Sequence, residues 1–305
     1  MKIEPLSEYV GIRLESENRS NVMDVDPEQV KDLYREHGAV LLRNFDIDAD
    51  SFEAFTNQFS DDYMDNQGSG SLRETINKKG DGTIQSVSYA VGRKTQLNFG
   101  LPLHADRSYV ADQPELMWFY CVRPADTEGE TTLCDGVRLA EEFSPATREL
   151  FKTTDIKYLR HYPSGDWQKL YHTDDEDEVR RLCKVNELEL EFSEDNTLHT
   201  VYTTRAITKS KYGDHDTFNN SILIVQWQED DLDRKVSFVR MADGSRIPDE
   251  VLADVRRAAD KVTYAVPWQP GDLVMIDNTR LLHGRNQFAD PDRTIYVRMC
   301  RSVDW

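Results

Sequence analysis

Residues 101–109 read Leu-Pro-Leu-His-Ala-Asp-Arg-Ser-Tyr, so that a histidine, His104, stands two positions before an aspartate, Asp106. Alternate side chains of an extended strand emerge on the same face, and both groups can therefore point at one ion. An imidazole nitrogen together with a carboxylate suits a divalent transition metal. A second histidine from elsewhere in the chain would complete the 2-His-1-carboxylate set that holds Fe(II) and leaves coordination positions open.

The candidate for the second histidine is His283, in the segment 278–285, which reads Asn-Thr-Arg-Leu-Leu-His-Gly-Arg. An apolar strand predicted over 273–277 leads into this segment. Arg293 follows ten residues after His283. A guanidinium in that place can clamp the carboxylate of an organic acid through two parallel hydrogen bonds.

A second histidine–acid pair, His172 and Asp174, has the same spacing. It stands at the start of an acidic helix, where Thr173 or Asp174 is better explained as the N-cap. His172 would then lie outside the helix with no fixed relation to the carboxylate. The first pair instead follows a glycine-bearing loop and precedes an apolar strand, as a site at the mouth of a barrel would. We therefore favour His104 and Asp106.

The composition predicts a globular protein that acts on a small molecule. The chain has 305 residues, of which 38% are apolar and 10% aromatic, enough for one large domain. Its net charge of −19 disfavours nucleic acid and membrane surfaces as partners. Four scattered cysteines without a CxxC pair favour a reducing, cytoplasmic setting. We find neither a leader-like segment nor an apolar run of membrane-spanning length.

The order of apolar patterns predicts a mainly β fold with flanking helices in one domain, residues 1–305. Strands are predicted at 39–43, 115–122, 130–134, 273–277 and 293–298, and helices beginning near Asp26, Ser51, Ser144, Thr173 and Ile247. Strands on both sides of a helical insertion, placed around 144–260, favour one barrel-like sheet with helices outside. Residues 65–100 have weak periodicity and many Gly, Asn, Ser and Lys residues; we interpret them as a lid loop.

The order of these motifs resembles the TauD/TfdA family of Fe(II)- and 2-oxoglutarate-dependent dioxygenases, most closely its clavaminate synthase-like and syringomycin-hydroxylase-like branch. The likeness covers roughly residues 38–300. The matching stretches are 101–109, Gly129-Glu130-Thr131, Trp268-Gln269-Pro270-Gly271-Asp272, Asp277-Asn278, His283-Gly284-Arg285 with Phe288, and Arg293. The resemblance implies a double-stranded β-helix (a jelly-roll, cupin-like core) with the metal at its open end. It also implies Fe(II), 2-oxoglutarate and O2 as cofactor and cosubstrates.

The resemblance also implies roles for single residues. It makes His104, Asp106 and His283 the iron ligands. It assigns the distal carboxylate of 2-oxoglutarate to Arg293, with a hydroxyl from Thr131. The adjacent Thr132 is the alternative, and strand alternation lets only one of the two face inward. Halogenating relatives have a small residue in place of the aspartate, so an intact Asp106 argues against halogenation.

Substrate contacts are expected from Asn98, Arg107 and Arg298. Arg298 stands five residues after Arg293, so the two face opposite sides of a regular strand. Either Arg298 points outward, or a bulge turns it inward to bind a substrate carboxylate, which is the arrangement we favour. Further cations that could meet a substrate carboxylate are Arg73 and Arg285. This chain departs from the branch beside the first metal histidine, so no relative's substrate is carried over.

We therefore expect hydroxylation of an unactivated C–H bond of an amino acid or amino-acid derivative, free or carrier-tethered, in secondary metabolism such as antibiotic biosynthesis. Succinate and CO2 would be released. Desaturation or ring closure would use the same ligands. A metal hydrolase or zinc lyase built on these ligands is a second reading, which the acid clamp at Arg293 disfavours. A non-catalytic barrel that binds a small acid is the third, and the complete ligand set argues against it.

Overall fold

The computed structural model describes residues 1–64, 74–77, 80–87, 99–231 and 236–305. Within these ranges the α-helices are α1 (Pro27–His37), α2 (Ala49–Thr56), α3 (Gly136–Glu141), α4 (Pro145–Thr153), α5 (Asp166–Tyr171), α6 (Glu176–Val185), α7 (Ile222–Asp230) and α8 (Asp249–Val262). The strands are β1 (Lys2–Pro5), β2 (Ile12–Glu15), β3 (Ala39–Arg43), β4 (Tyr63–Met64), β5 (Glu74–Thr75), β6 (Gln85–Ser86), β7 (Leu101–His104), β8 (Leu116–Arg123), β9 (Thr131–Asp135), β10 (Asp155–Tyr162), β11 (Glu189–Phe192), β12 (Leu198–Arg205), β13 (Ile207–Lys209), β14 (Asp216–Phe218), β15 (Ser237–Met241), β16 (Tyr264–Ala265), β17 (Leu273–Asp277), β18 (Leu281–Arg285) and β19 (Thr294–Cys300).

Two sheets face each other and enclose the main interior. The larger has the order β1-β2-β3-β17-β8-β19-β6-β5, with β4 also paired to β19, and the smaller has the order β16-β9-β18-β7. Apolar side chains from both sheets pack between them: Leu41, Met117, Phe119, Val274, Ile276 and Val297 from the larger, Leu133 and Leu281 from the smaller. This is the jelly-roll core that the sequence predicted, since each strand buries one face between the sheets.

Helices cover the outer face of the larger sheet. Trp118 and Tyr120 alternate with Phe119 along β8, so they point away from the interior and pack under α1 and α2. The predicted start of α1 is confirmed: the Asp26 side chain accepts a hydrogen bond from the Glu28 amide, and Pro27 occupies the first turn. In the described ranges, no helix has the length and apolar character that crossing a membrane requires.

The insertion expected to be helical around 144–260 contains a further sheet. It carries α4 to α8, but β10, β11, β12 and β15 form a four-stranded antiparallel sheet in the order β11-β12-β10-β15. The helical prediction was wrong for these strands. It rested on helix-start signals at Ser144, Thr173 and Ile247, whereas the strands between them are set by pairing with partners distant in sequence.

Most of the segment 65–100, interpreted as a lid, lies outside the described residues, and Asn98 is among those. The described parts, 74–77, 80–87 and 99–100, include β5 and β6, and β6 pairs with β19 at the edge of the larger sheet. The lid therefore stays a prediction.

The two strands that carry the candidate histidines approach closely at Gly284. A Cβ built on Gly284 would lie 2.5 Å from the carbonyl oxygen of Leu101 and 2.8 Å from Oγ1 of Thr132. The first of these atoms belongs to the backbone of β7 and cannot swing aside. A glycine is therefore required for β18 to pair with β7 on one side and β9 on the other.

We predict that Gly284→Ala lowers the free energy of unfolding by about 2–3 kcal/mol, because the strands must separate to admit the methyl group. Gly244→Ala is the control: its φ is +88° and no heavy atom lies within 4 Å of a built Cβ. In that variant only backbone strain opposes the methyl group, so its free energy of unfolding should fall by about 1 kcal/mol. Denaturant unfolding measures both losses, and equal values would contradict the close approach.

Candidate active site

Three predicted metal ligands, His104, Asp106 and His283, come together where β7 ends. The two histidines are directly opposite each other across β7 and β18, with ring centroids 4.5 Å apart. Nε2 of His104 lies 3.8 Å from Oδ1 of Asp106, and Nε2 of His283 lies 3.9 Å from Oδ2. One donor atom from each residue lies within 4.8 Å of the others, and no other such group of His, Cys, Asp and Glu occurs among the described residues.

The chemistry of this donor set fits a divalent transition-metal ion. Nδ1 of His104 lies 2.9 Å from the carbonyl oxygen of Pro102, which can only accept, so Nδ1 carries the hydrogen and Nε2 is the nitrogen with the lone pair that could bind a metal. Two imidazoles and one carboxylate form the ligand type that holds Fe(II) with open positions. The three side chains are only 12%, 12% and 6% exposed, so bulk water is largely kept away.

Asp106 does not lie in the same extended strand as His104, which is where the sequence predicted it. Strand β7 ends at His104, and Asp106 lies in the following turn, where Arg107 has a φ of +60°. The assumption of one extended strand was therefore wrong, although the two side chains still converge.

A buried amide holds the turn in place. Oδ1 of Asn278 accepts from the Asp106 amide at 3.0 Å, and Nδ2 donates to the Asp106 carbonyl at 3.0 Å and to that of Pro114 at 2.8 Å. Asn278 is fully buried and precedes His283 by five residues. One side chain therefore ties the segment that leads to His283 to the turn that carries Asp106. The sequence motif Asp277-Asn278 contained this residue but gave no sign of its partner.

Two arginines lie together beyond the histidines, of which Arg293 is buried and Arg285 is partly buried. The guanidinium groups of Arg285 and Arg293 lie 4.7 and 4.9 Å from the centroid of the same ring, Phe288. Nε of Arg293 donates to the Gly129 carbonyl at 2.8 Å, but its buried Nη1 has no partner among the described residues. Burial, with Arg285 as the second cause, lowers the pKa of Arg293 to about 9. Burial also lowers the pKa of Arg285 to about 10. The arrangement favours an anion as the missing partner.

Thr131 faces the interior on the same side as the metal-site histidine. It lies opposite Arg285 in the pairing of β9 with β18, two residues along from the Leu133–His283 pair. Its Oγ1 accepts from Nε1 of Trp268 at 3.1 Å, which leaves the hydroxyl hydrogen able to donate elsewhere. Thr132 points to the opposite face, against Gly284. The structure thus selects the inward threonine; its contact with 2-oxoglutarate stays a prediction.

Arg298 does not face the site. It is fully buried on the outer face of the larger sheet, opposite Trp118 in the pairing with β8, and its guanidinium lies 3.6 Å from the Tyr63 ring centroid. Its donors are taken by Asp81, Thr83, Thr56, Asn57 and the Glu53 carbonyl. The favoured inward, substrate-binding orientation of Arg298 was therefore wrong. The register shift beside Thr294 and Ile295 skips Val122, so the extra residue lies in β8 and the side chains of β19 alternate without a break up to Arg298.

The remaining sequence candidates have mixed outcomes. Arg107 is buried and bonds Asp112 through Nε to its carbonyl (3.0 Å) and Nη2 to its carboxylate (3.3 Å), which favours a role in holding the turn. Its contact with substrate stays a prediction. His172 ends α5 in the left-handed region and is exposed, and Asp175 caps α6, so the N-cap predicted at Thr173 or Asp174 was wrong. The decision against the His172–Asp174 pair agrees with this geometry.

We predict that Asn278→Ala weakens binding of Co(II), a stand-in for Fe(II), by about tenfold or more, because the Asp106 turn loses two hydrogen bonds. Asn219→Ala is the control, since Asn219 donates to the carbonyl of Asn278 at 2.9 Å and makes no contact with Asp106. Both variants should melt at lower temperature, but the control should keep its Co(II) affinity. Equal Co(II) affinities, measured by titration, would show that Asn278 only stabilises the fold.

Arg298→Met should lower the free energy of unfolding by about 2 kcal/mol, because Asp81 and several hydroxyl and carbonyl groups lose their partner. Binding of Co(II) and 2-oxoglutarate should stay within about twofold of the parent, since Arg298 lies on the other face of the sheet. Titration calorimetry on the folded variant measures both affinities. A large loss of Co(II) or 2-oxoglutarate affinity would contradict the placement of Arg298 on the far face of the sheet.

Comparison with known proteins shows the family to which this chain belongs. Residues 2–301 match the model of the family described as "Taurine catabolism dioxygenase TauD, TfdA family". The dapdiamide synthesis protein DdaC of Enterobacter agglomerans is 25% identical over 293 residues, which cover 90% of this chain and 85% of that protein. A clavaminate synthase-like protein of Arabidopsis thaliana is 25% identical over 291 residues, covering 88% and 83%.

Solved structures show the same fold. PvcB from Pseudomonas aeruginosa gives a TM-score of 0.63 at 19% identity, covering 98% of this chain and 90% of the other. A PvcB structure described as an Fe, alpha-ketoglutarate dependent oxygenase from an isonitrile synthetic pathway gives 0.59 at 18%, with the same coverage. The resemblance seen in the sequence is therefore confirmed. By the match over nearly its whole length, the chain belongs to the TauD/TfdA family and is an Fe(II)- and 2-oxoglutarate-dependent dioxygenase.

Proposed function

We propose that this dioxygenase oxidises a C–H bond of a small carboxylic acid derived from an amino acid. In this proposal His104, Asp106 and His283 hold the iron. Arg293 and the hydroxyl of Thr131 bind the distal carboxylate of 2-oxoglutarate. With iron, 2-oxoglutarate and O2 bound, the site supplies the oxidising power for C–H oxidation, with release of succinate and CO2.

One observation carries the assignment of the ligands. Two imidazole nitrogens and a carboxylate oxygen, drawn from segments nearly 180 residues apart, lie within 4.8 Å of one another. The second histidine is placed by strand pairing, and Asp106 by the amide of Asn278. Neither arrangement is required for packing alone, because apolar residues would fill the same space without desolvating polar groups.

The charge around the site supports the 2-oxoglutarate anchor. Among the described residues no carboxylate forms an ion pair with Arg293, which is 2% exposed. A guanidinium buried without a counter-ion is unfavourable by several kcal/mol. A carboxylate that accepts from Nη1 would neutralise it and satisfy the orphaned nitrogen. Arg285, on the same phenyl ring, adds a second positive charge that favours a doubly charged acid.

The substrate class follows from the kind of relative and from charge. The names of DdaC and PvcB refer to dapdiamide synthesis and an isonitrile synthetic pathway, both routes to small specialised metabolites. The net charge of −19 disfavours docking of an acidic carrier protein, so we favour a free acid over a carrier-tethered one.

Four free, buried cysteines support the proposal that the protein works in a reducing compartment, the cytoplasm.

Hydroxylation is the outcome we favour, and desaturation is the second candidate. Both need the same iron ligands and the same 2-oxoglutarate anchor, and PvcB, from an isonitrile pathway, shares the fold. The mass of the product separates them, because hydroxylation adds one oxygen atom and desaturation removes two hydrogen atoms.

We predict that the protein with Fe(II) and 2-oxoglutarate, held anaerobically, shows a visible charge-transfer absorption that disappears in His283→Ala. Arg293→Met should need at least about tenfold more 2-oxoglutarate to reach half of the full band. Without ligands, this variant should melt no lower than the parent, because an unpaired buried charge has been removed. Difference absorption and thermal melting give both readings.

Arg123→Met is the matched control, since this arginine is 48% exposed and its ion pairs among the described residues are with Asp126, Asp290 and Asp292. It should change neither the band nor its 2-oxoglutarate dependence. A parent without the band, or a band that persists in His283→Ala, would contradict the proposed iron ligands. An unchanged 2-oxoglutarate requirement in Arg293→Met would contradict the proposed anchor.

A further inference from the structure

The less exposed arginines of the described chain differ in whether a carboxylate partners them. Those at most 18% exposed that form ion pairs among the described residues are Arg43 with Asp272, Arg107 with Asp112, Arg240 with Glu229, Arg280 with Asp135 and Arg298 with Asp81. Three others, Arg160, Arg285 and Arg293, have no ion pair with a described carboxylate, and each has a buried guanidinium nitrogen without a described hydrogen-bond partner. Two of the three form the pair on Phe288. The third, Arg160, stands apart from them.

Arg160 lies against the turn that follows Asp106. It belongs to β10 in the inserted sheet, and its guanidinium lies 3.4 Å from the ring centroid of Tyr109, three residues after Asp106. Burial raises the pKa of Tyr109, and the guanidinium of Arg160 opposes this shift. The inserted sheet therefore brings one guanidinium to the neighbourhood of the candidate metal ligands.

The orientation of Arg160 is fixed by neighbours that leave one edge of the guanidinium uncommitted among the described residues. Nη1 donates to the Tyr162 hydroxyl at 3.1 Å, and the Tyr109 ring covers one face of the plane. The ring of Tyr109 is itself held edge-on by Tyr158, whose hydroxyl accepts from the Ser221 amide at 2.8 Å. The remaining edge, Nε with Nη2, has the geometry that grips a carboxylate through two parallel bonds.

We propose that Arg160, held on the Tyr109 ring, binds the carboxylate of the organic substrate, separately from the Arg293 site that binds 2-oxoglutarate. The inference rests on the proposed function, because it gives that function a second acid-binding subsite. A partly buried guanidinium without a counter-ion is unfavourable in the absence of ligand, and a substrate carboxylate removes that penalty. Arg160 lies on β10 and Arg293 lies just before β19. In this proposal Arg293 selects the acid that serves as cosubstrate, and Arg160 selects the acid that serves as substrate.

The test compares matched acids and neutral amides as probes. N-acetyl-L-tyrosine, N-acetyl-L-tryptophan and N-acetyl-L-leucine, each with its primary amide, are titrated calorimetrically into the anaerobic Fe(II)–2-oxoglutarate protein. The parent should bind at least one acid about tenfold or more tightly than its amide. In Arg160→Gln the difference should fall to within about twofold, while the visible band and the 2-oxoglutarate affinity stay unchanged.

Two further variants separate charge, geometry and folding. Arg160→Lys keeps the charge without the two-pronged edge and should retain part of the preference for the acid. Lys157→Gln, on the same strand and the opposite face, removes one positive charge and should leave the preference intact. If Arg160→Gln proves too unstable to titrate, the intermediate preference of Arg160→Lys provides the same test.

The outcomes distinguish this inference from the function on which it rests. If the parent shows the visible band but no preference for any acid, or if Arg160→Gln and Arg160→Lys keep the full preference, then Arg160 is a packing residue and the subsite is wrong. Absence of the band in the parent would instead overturn the proposed iron site, and the Arg160 subsite with it.

Discussion

The pairing of β7 with β18 is the contact on which the candidate site depends. It sets His104 directly opposite His283, and the pairing of β18 with β9 then sets Thr131 opposite Arg285 on the same inner face. The two strands can pair so closely only because residue 284 has no side chain. Hydrogen-bonded strands of a jelly-roll are rigid compared with loops, so two of the three proposed ligands sit on the stiffest part of the fold.

The third proposed ligand depends on a different device. Asp106 lies in a turn beyond the strand, and turns are set by local hydrogen bonds rather than by a sheet. The buried amide of Asn278 replaces the missing strand partner by bonding both the amide and the carbonyl of Asp106. Ser221, whose hydroxyl donates to the Ala105 carbonyl at 3.0 Å, holds the same turn from the inserted segment. The insertion thus contributes to the site as well as covering it.

The arginines fall into two groups, those that pair with a carboxylate of the chain and those that we propose to bind ligands. Arginines that hold elements together, such as Arg43 with Asp272 and Arg280 with Asp135, have their carboxylate within the chain. Arg160, Arg285 and Arg293 have none among the described residues, and they lie around or beyond the proposed metal ligands. An unpaired guanidinium away from water lowers the stability of the protein without ligand. We propose that the same unpaired charge is what allows these arginines to recognise an acid.

The sequence by itself determined a mainly β fold with its main strands and the capped helix starts at Asp26 and Ser144, and its resemblance to the family implied the jelly-roll and the proposed ligands. These are encoded locally, in alternation, in Asp26-Pro27 or Ser144-Pro145 signals and in the spacing of His104 and Asp106. Only the tertiary structure decided which face Arg298 takes, which partner Asn278 has, that the insertion contains a sheet, and that Arg160 meets Tyr109. Each of these depends on contacts between segments far apart in the chain. Pairing and burial fix such contacts, and no local pattern records them.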